Sequence, residues 1–308
     1  MPSSQIFAFL VAAVDLALGG LISNGFIVTV IIHEWTKNKS LTASEQLLLS
    51  LGISNFLATV LLTPFYIDDF IMTNFTFNLV LRKIFPIAVF LVISRYWLTA
   101  WLCVFYCIKI VNSTRSFFLW CKLRISWLTP RVLVASLIFS FLVSFFAFLN
   151  KSPEHQSNTT SITVHFFKFS FVAIASGGPF LIVSVCSILV VVSLCTHARQ
   201  MTSEESTLKN PQTEVHIKAA RTVLFLLFLY ASFLVSQFLS MTVDLRRFER
   251  VAISAVMMVY SPAQAYILLL GNPKLKQAAA QSKHCFLLCT IYLLKYLCCQ
   301  LQFHAASS

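Results

Sequence analysis

Four polar side chains stand inside long apolar stretches of the sequence, and their chemistry most needs an explanation. They are Asp15, Asn24, Asn55 and Arg95. An arginine in the middle of a membrane helix costs roughly 2.5 to 3.5 kcal/mol on translocon scales, so it needs a partner or water. We expect these four residues to form one intramembrane polar cluster. In the alternative, Arg95 snorkels outward and Asp15 is hydrated near the outer surface.

Catalytic chemistry is not indicated. The sequence has no Walker loop, no HExxH and no GxSxG motif, and Asp15 stands alone as an intramembrane carboxylate. The chain is therefore predicted not to be an enzyme, and no cofactor is expected. No metal site is expected either, because apolar residues separate the potential zinc ligands of the tail without a CxxC knuckle. These ligands are His284, Cys285, Cys289, Cys298 and Cys299.

The composition is that of an integral membrane protein. Of the 308 residues, 58% are hydrophobic and only 11% are charged, far from the mix of a soluble domain. The 30 phenylalanines would leave large apolar patches exposed in a soluble protein of this size. Lipid is therefore the expected solvent, and the predicted class is an all-α membrane protein.

Seven apolar segments come close to or exceed the roughly 20 residues that a helix needs to cross the hydrocarbon core. They cover residues 5–32, 46–67, 84–110, 131–149, 166–195, 216–241 and 251–270, and Pro130 interrupts the start of the fourth. We predict a seven-transmembrane helix bundle over residues 1–270. Residues 271–308 are predicted to form a cytoplasmic amphipathic helix and tail, with residues 284–304 lying along the inner leaflet.

The distribution of basic residues predicts the orientation. Fifteen Lys and Arg residues fall after helices one, three and five and in the tail, against seven on the opposite side. The positive-inside rule then places the N-terminus outside the cell and the C-terminus in the cytoplasm. The net charge of +12 is explained by membrane topology, so no nucleic-acid partner is expected.

Modification sites follow from this orientation. The sequons at Asn74, Asn150 and Asn158 face outward and are predicted glycosylation sites, with chance occurrence as the alternative. In the tail, Cys298 and Cys299 are predicted palmitoylation sites that would strengthen its contact with membrane lipid. Packing of the unmodified tail against the membrane is the alternative.

The end of the third helix carries the most specific motif. Residues 97–125, WLTAWLCVFYCIKIVNSTRSFFLWCKLRI, resemble the third helix and second inner loop of vertebrate bitter taste receptors, the type 2 taste receptor family. FYxxKI stands there where rhodopsin-like receptors carry an Asp-Arg-Tyr triplet. Further segments resemble the family in order and at the expected spacing, among them SNGFI at 23–27, PQTEVHIKAARTVLFLLFLY at 211–230 and LLLGNPKLKQ at 268–277.

The resemblance implies a G-protein-coupled receptor in the plasma membrane that senses small bitter compounds and activates a gustducin-type heterotrimeric G protein. Tyr106 and Lys109 lie three residues apart and so share one helix face at the cytoplasmic rim. The predicted contacts with the G protein are Tyr106, Lys109, His197, Met201, His216, Lys218, Arg221 and Lys274. Anchoring to anionic lipid is the alternative role of the cations. The alternative functions are a pheromone-like chemosensory receptor and a small-solute transporter.

The sequence also departs from the family pattern. Asn55 stands where the family ordinarily has Arg in helix two, whereas Arg95 appears in helix three, where the family lacks one, so the charge is hypothesised to have moved between neighbouring positions. Ala88 and Val92 replace the common Trp and Asn ligand contacts, which implies a smoother and more apolar pocket. By analogy of position, the predicted ligand contacts are Tyr66, Ala88, Val89, Val92, Phe171, Ala175, Phe233, Gln237, Ser254 and Met257.

Overall fold

The protein is described by a computed structural model that covers residues 3–71, 75–111, 116–149, 175–193, 195–196, 211–243 and 247–281. These residues form eight α-helices and no β-strand. The helices are α1 (Ser3–Asn38), α2 (Ala43–Ile71), α3 (Phe75–Ile110), α4 (Ser116–Leu149), α5 (Ala175–Ser193), α6 (Pro211–Thr242), α7 (Arg247–Gly271) and α8 (Pro273–Gln281).

Helices α1 to α7 are each long and apolar enough to cross a membrane. The predicted all-α class with seven transmembrane helices is therefore confirmed, and the chain is a multi-pass membrane protein.

The start of α4 differs from the sequence-based expectation. We predicted a helix from residue 131 after a polar loop, whereas α4 begins at Ser116 and contains Pro130 in its interior. A proline removes one backbone donor, and membrane helices tolerate that loss because side chains, water or neighbouring helices can satisfy the freed carbonyl. The carbonyl freed by Pro130 is that of Ser126. The Thr129 hydroxyl and Arg131 Nη1 donate at 2.8 Å to the adjacent carbonyls of Ile125 and Trp127, so both side chains bond the helix on either side of the proline.

The start of α2 is fixed by a local sequence signal. Thr42 precedes the first helical residue, and its hydroxyl accepts a hydrogen bond from the Glu45 backbone N–H at 3.4 Å. The Glu45 carboxylate in turn accepts from the Thr42 backbone N–H at 2.9 Å. This reciprocal pair is a capping box, which satisfies two backbone donors that the helix itself leaves without partners.

The helices group into two units by their contacts. The first unit consists of α1, α2 from Gly52, the start of α3, α6 from Leu229, α7 and α8. Within it, α1 contacts α7, and α8 contacts both α7 and α1. Two glycines bring α1 and α2 close together: a Cβ on Gly52 would lie 3.1 Å from Val28, and one on Gly20 would lie 3.2 Å from the Thr59 hydroxyl.

The second unit consists of the start of α2, α3 from Phe85, α4, α5 and α6 to Phe228. Trp101 Nε1 of α3 donates to the Ser136 hydroxyl of α4 at 2.8 Å. The Trp97 ring meets the Phe139 ring of α4 edge-on, with centroids 5.3 Å apart. On α5, a Cβ at Gly178 would lie 3.8 Å from the Trp97 ring. Trp97 therefore contributes to the packing of both α4 and α5 against α3.

The tail beyond α7 is described only as far as residue 281. Its helix α8 covers Pro273–Gln281 and buries Leu275 and Ala279, which lie four residues apart on one face. The predicted inner-leaflet helix at 284–304 lies outside the described residues, as do Cys298 and Cys299. The division at residue 270 between a receptor domain and a tail stays a prediction.

The surroundings of two glycines predict different effects on stability when each is replaced by alanine. Gly20→Ala should destabilise the protein, because the new methyl group meets Thr59 at 3.2 Å and that side chain is held by hydrogen bonds at 2.8 Å to Asn55 and Ser261. Gly177→Ala is the matched control, since its Cβ would have no heavy atom within 4 Å. Alanine there should be neutral or stabilising by up to about 1 kcal/mol. Unfolding in mixed micelles measures both changes, and equal stabilities would contradict the close approach at Gly20.

Candidate functional site

A buried hydrogen-bonded group joins α1, α2 and α7 inside the first unit. We call it the amide network, and it consists of Asn24, Asn55, Thr59, Ser261 and Gln264. Asn55 Nδ2 donates to Gln264 Oε1 at 2.8 Å and to Asn24 Oδ1 at 3.3 Å. Asn24 Nδ2 donates to the Ser261 hydroxyl at 3.1 Å, and the Thr59 hydroxyl donates to the same oxygen at 2.8 Å. Asn24, Asn55 and Gln264 are fully buried.

Membrane burial explains why these five residues converge. A polar side chain in hydrocarbon must find its partners inside the protein, and hydrogen bonds between helices supply them. Asn24 and Asn55, two of the four residues of the predicted polar cluster, are hydrogen-bonded to each other. Within the described ranges, Asn55 Oδ1 is a buried acceptor without a donor. It marks the one point at which this asparagine is not fully satisfied.

The network extends to an aromatic pair on α6 and α7. Gln264 Nε2 donates to the Tyr260 hydroxyl at 3.2 Å. The Tyr260 ring lies against Phe233 of α6, with centroids 4.7 Å apart and planes tilted by 55°. Tyr260 and Phe233 are among the most completely buried large side chains. Phe233, a predicted ligand contact, is thus connected to Asn55 on α2 through Tyr260 and Gln264.

Four other predicted ligand contacts also lie in the first unit, on α2, α6 and α7. Gln237 is one turn from Phe233 on α6, and Ser254 and Met257 are one turn apart and buried on α7. Tyr66 of α2 is half-buried and packs against a small core cluster formed by Ala13, Leu16 and Met258.

The remaining predicted ligand contacts are described in the second unit or not at all. Ala88 is buried on α3, and Val89 and Val92 are half-buried there. Ala175 is buried at the first residue of α5. Phe171 lies outside the described residues. The structure does not test whether the two sets of residues line one cavity, and their role in ligand binding stays a prediction.

The predicted coupling residues divide by exposure. Tyr106 is buried on α3, and Lys109, in the last turn of that helix, is exposed. Arg221 on α6 and Lys274 on α8 are exposed as well. His216 and Lys218 fall within α6, but their side chains are outside the described part of the structure, and His197 and Met201 are outside it altogether.

The other two members of the predicted polar cluster occupy different places. Asp15 is half-buried on α1, nine residues from Asn24 and thus about 13 Å away along the helix axis. Arg95 is 3% exposed and belongs to the second unit, so its side chain does not snorkel to the protein surface. That all four residues form one cluster stays a prediction. Asn74, Asn150 and Asn158 lie outside the described residues.

Sequence reasoning missed three members of the amide network, Thr59, Ser261 and Gln264, as well as Tyr260. The hydroxyl residues gave no signal, because Ser and Thr in membrane helices usually donate to a carbonyl of their own helix. Thr29, for example, donates to Gly25 at 2.8 Å. Gln264 could have been found, since a glutamine inside an apolar helix is costly without a partner.

Seven membrane-length helices with a buried polar joint among α1, α2 and α7 are the features of a seven-helix membrane receptor. Family comparison narrows this class. A family model for the taste receptor protein (TAS2R) matches residues 1–288. The chain belongs to this family.

Similar relatives come from primates and birds. Taste receptor type 2 member 39 of Macaca mulatta is 31% identical over 302 residues, which covers 91% of this chain and 89% of the relative. Taste receptor type 2 member 1 of Gorilla gorilla gorilla is 30% identical over 317 residues, which covers 97% of this chain and 100% of the relative. Taste receptor type 2 member 40 of Gallus gallus is 28% identical over 293 residues, covering 89% and 94%.

The amide network generates a stability prediction. Gln264→Leu should lower the free energy of unfolding by about 1 to 2 kcal/mol, because Asn55 loses its shortest acceptor and Tyr260 loses a donor. Thr29→Val is the control, since its exposed hydroxyl bonds only its own helix, and it should change stability by less than about 0.5 kcal/mol. Both variants are compared by unfolding in mixed micelles. A Gln264→Leu variant as stable as the control would show that these hydrogen bonds do not hold α2 and α7 together.

Proposed function

We propose that this protein is a bitter taste receptor of the plasma membrane, which binds small, mostly apolar compounds and activates a gustducin-type heterotrimeric G protein. The N-terminus is extracellular and the C-terminus cytoplasmic in this proposal. The observation that carries it is the TAS2R match over residues 1–288. The excess of basic residues in the loops after helices one, three and five supports the orientation.

The end of α3 supplies the contact with the G protein. Tyr106 is buried against its own unit, whereas Lys109, one turn later, is exposed and close to the carbonyl end of the helix. An exposed ammonium group there can meet the carboxylates and the negative C-terminal dipole of a helix supplied by the α subunit. Arg221 of α6, which belongs to the same unit as Lys109, is exposed as well and would add a second positive charge for the G protein. Lys274 of α8 stays a proposed contact.

The agonist site is formed by apolar and small side chains. Ala88 and Val92 are one turn apart on α3 and carry no hydrogen-bonding group. A site with few polar groups favours uncharged agonists, since a cation would be desolvated there without a compensating partner. On α6, Phe233 is a further proposed ligand contact, and within its own unit it is linked to the amide network through Tyr260. Agonist contact with Phe233 would then bias the packing of α6 and α7, which is how binding would reach the coupling end.

Reconstitution distinguishes this proposal from transport. The purified chain in liposomes with a gustducin-type heterotrimer should accelerate nucleotide exchange when a hydrophobic bitter compound is added. Uptake of labelled solute without any nucleotide exchange would contradict the receptor and favour a transporter.

The coupling role of Lys109 predicts a selective loss of signalling. Lys109→Glu should lower agonist-stimulated nucleotide exchange by at least roughly tenfold, because reversal of one charge at the interface costs more than about 1.4 kcal/mol. Surface expression should be unchanged, since the side chain is exposed. Lys83→Glu makes the same charge change at an exposed site at the other end of α3 and should signal normally. Undiminished exchange by Lys109→Glu would refute the coupling role.

The pocket proposal predicts a size-dependent effect of Val92→Trp. The indole would fill space in the proposed site, so the potency of bulky agonists should fall by roughly tenfold or more while small agonists are affected less. Val185→Trp on the exposed side of α5 is the matched control and should leave the dose-response curves unchanged. Calcium responses of cells that express each variant measure the shift. An agonist profile of Val92→Trp identical to that of the wild type would show that Val92 does not line the agonist site.

A further inference from the structure

Helix α4 presents a continuous exposed stripe. We call it the α4 stripe: its members recur every three or four residues, with adjacent pairs at 123/124 and 141/142, so they lie on one side of the helix. In the most apolar window of α4, only 28% of the residues are buried, against 33% to 61% in the other six membrane-length helices. The stripe consists of Trp120, Leu123, Arg124, Trp127, Arg131, Val134, Ile138, Phe141, Leu142 and Phe145, and all ten are exposed.

The α4 stripe has two chemically different halves. From Trp120 to Arg131 it is aromatic and basic apart from Leu123, and from Val134 to Phe145 it is purely apolar. Leu149 ends the helix, 18 residues after Arg131, which corresponds to about 27 Å and nearly fills a hydrocarbon core of about 30 Å. Arg131 therefore falls at the boundary between acyl chains and headgroups. Arg124 lies seven residues further out, about 10 Å along the axis.

Both arginines on the stripe are held in place by tryptophan. The Arg131 guanidinium lies 3.5 Å from the centroid of the Trp127 ring, and the Arg124 guanidinium lies 5.6 Å from that of Trp120. Arg131 Nη1 also donates to the Trp127 carbonyl. A guanidinium that is already oriented loses less rotamer entropy when it binds a phosphate through its remaining donors. Tryptophan is itself favoured at the level of the headgroups.

We propose that the α4 stripe binds an inositol phospholipid that carries phosphate on its ring. Arg131 binds the phosphodiester at the membrane boundary, and Arg124 binds a ring phosphate further from the hydrocarbon. The acyl chains lie along the apolar half, where the Phe141 and Phe145 rings stack with centroids 6.3 Å apart. Charge supports this occupant, because α4 contains three basic residues and no acidic one.

The depth of the two arginines selects among lipids. A singly charged headgroup such as phosphatidylserine carries its carboxylate near the level of its phosphate and reaches only Arg131. A ring phosphate extends away from the bilayer and can also reach Arg124. Phosphatidylcholine carries no net charge and is expected to bind weakly through its acyl chains alone.

Native mass spectrometry of the full chain tests this site. The receptor is released from micelles that contain phosphatidylinositol 4,5-bisphosphate, phosphatidylserine or phosphatidylcholine at one concentration, and the lipid-bound fraction is measured. Arg124→Gln and Arg131→Gln should each lower binding of the bisphosphate about tenfold, the equivalent of 1.4 kcal/mol. Arg124→Gln should leave phosphatidylserine binding unchanged. Arg131→Lys keeps the charge but loses the planar guanidinium, so its bisphosphate-bound fraction should lie between those of Arg131→Gln and the wild type.

Lys122→Gln is the matched control. It removes the same charge from an exposed position only two residues from Arg124 but on the opposite side of the helix. Binding by this variant should equal that of the wild type, and the thermal unfolding of all variants should coincide. If Lys122→Gln lost as much bisphosphate binding as the arginine variants, the proposal would be overturned in favour of general charge attraction. Equal binding of all three lipids by the wild type would also overturn it.

Discussion

The need to satisfy polar groups without water is the constraint on which this receptor most depends. Asn24, Asn55 and Gln264 are fully buried in helices that are otherwise apolar, and each finds its partner on another helix. Water does not compete for these groups in the bilayer interior, so they specify which helices become neighbours. Hydrophobicity alone cannot do this, because lipid tails are as apolar as leucine. The joint of α1, α2 and α7 is thus determined by a few amides and hydroxyls.

The same joint connects Phe233, a proposed ligand contact on α6, to Asn55 on α2. Phe233 packs on Tyr260, Tyr260 accepts from Gln264, and Gln264 accepts from Asn55. Each step is a contact between side chains with few alternative arrangements, since the chain of groups is buried throughout. In the proposed receptor, a change in the packing of Phe233 would therefore alter these hydrogen bonds. The family's usual arginine at position 55 would bring a charge into this route, whereas asparagine keeps it neutral.

Sequence predicted the features that follow from period and length, and missed those that depend on partners far away in the chain. The seven spans were found because about 20 apolar residues are required to cross a membrane. Asn24 and Asn55 could be singled out as polar residues inside apolar helices, and they are hydrogen-bonded to each other. The predicted start of α4 was wrong because Pro130 and the basic residues before it are typical of a loop, whereas a membrane helix can continue through a proline. Thr59 and Ser261 could not be distinguished by pattern from hydroxyl residues that bond only their own helix.

Hydroxyl groups that bond their own helix and amides that bond other helices differ in when they find their partners during membrane insertion. Ser140, Ser187 and Thr99 each donate to the carbonyl four residues earlier in their own helix, at 2.7 or 2.8 Å. Such a span can leave the translocon with these groups already matched. The side chains of Asn24, Asn55 and Gln264 need partners on other helices. Their hydrogen bonds therefore stay incomplete until the first, second and seventh spans have all been synthesised. Maturation of the nascent chain is then expected to require the seventh span, because the amides of α1 and α2 lack partners in the membrane until α7 is present.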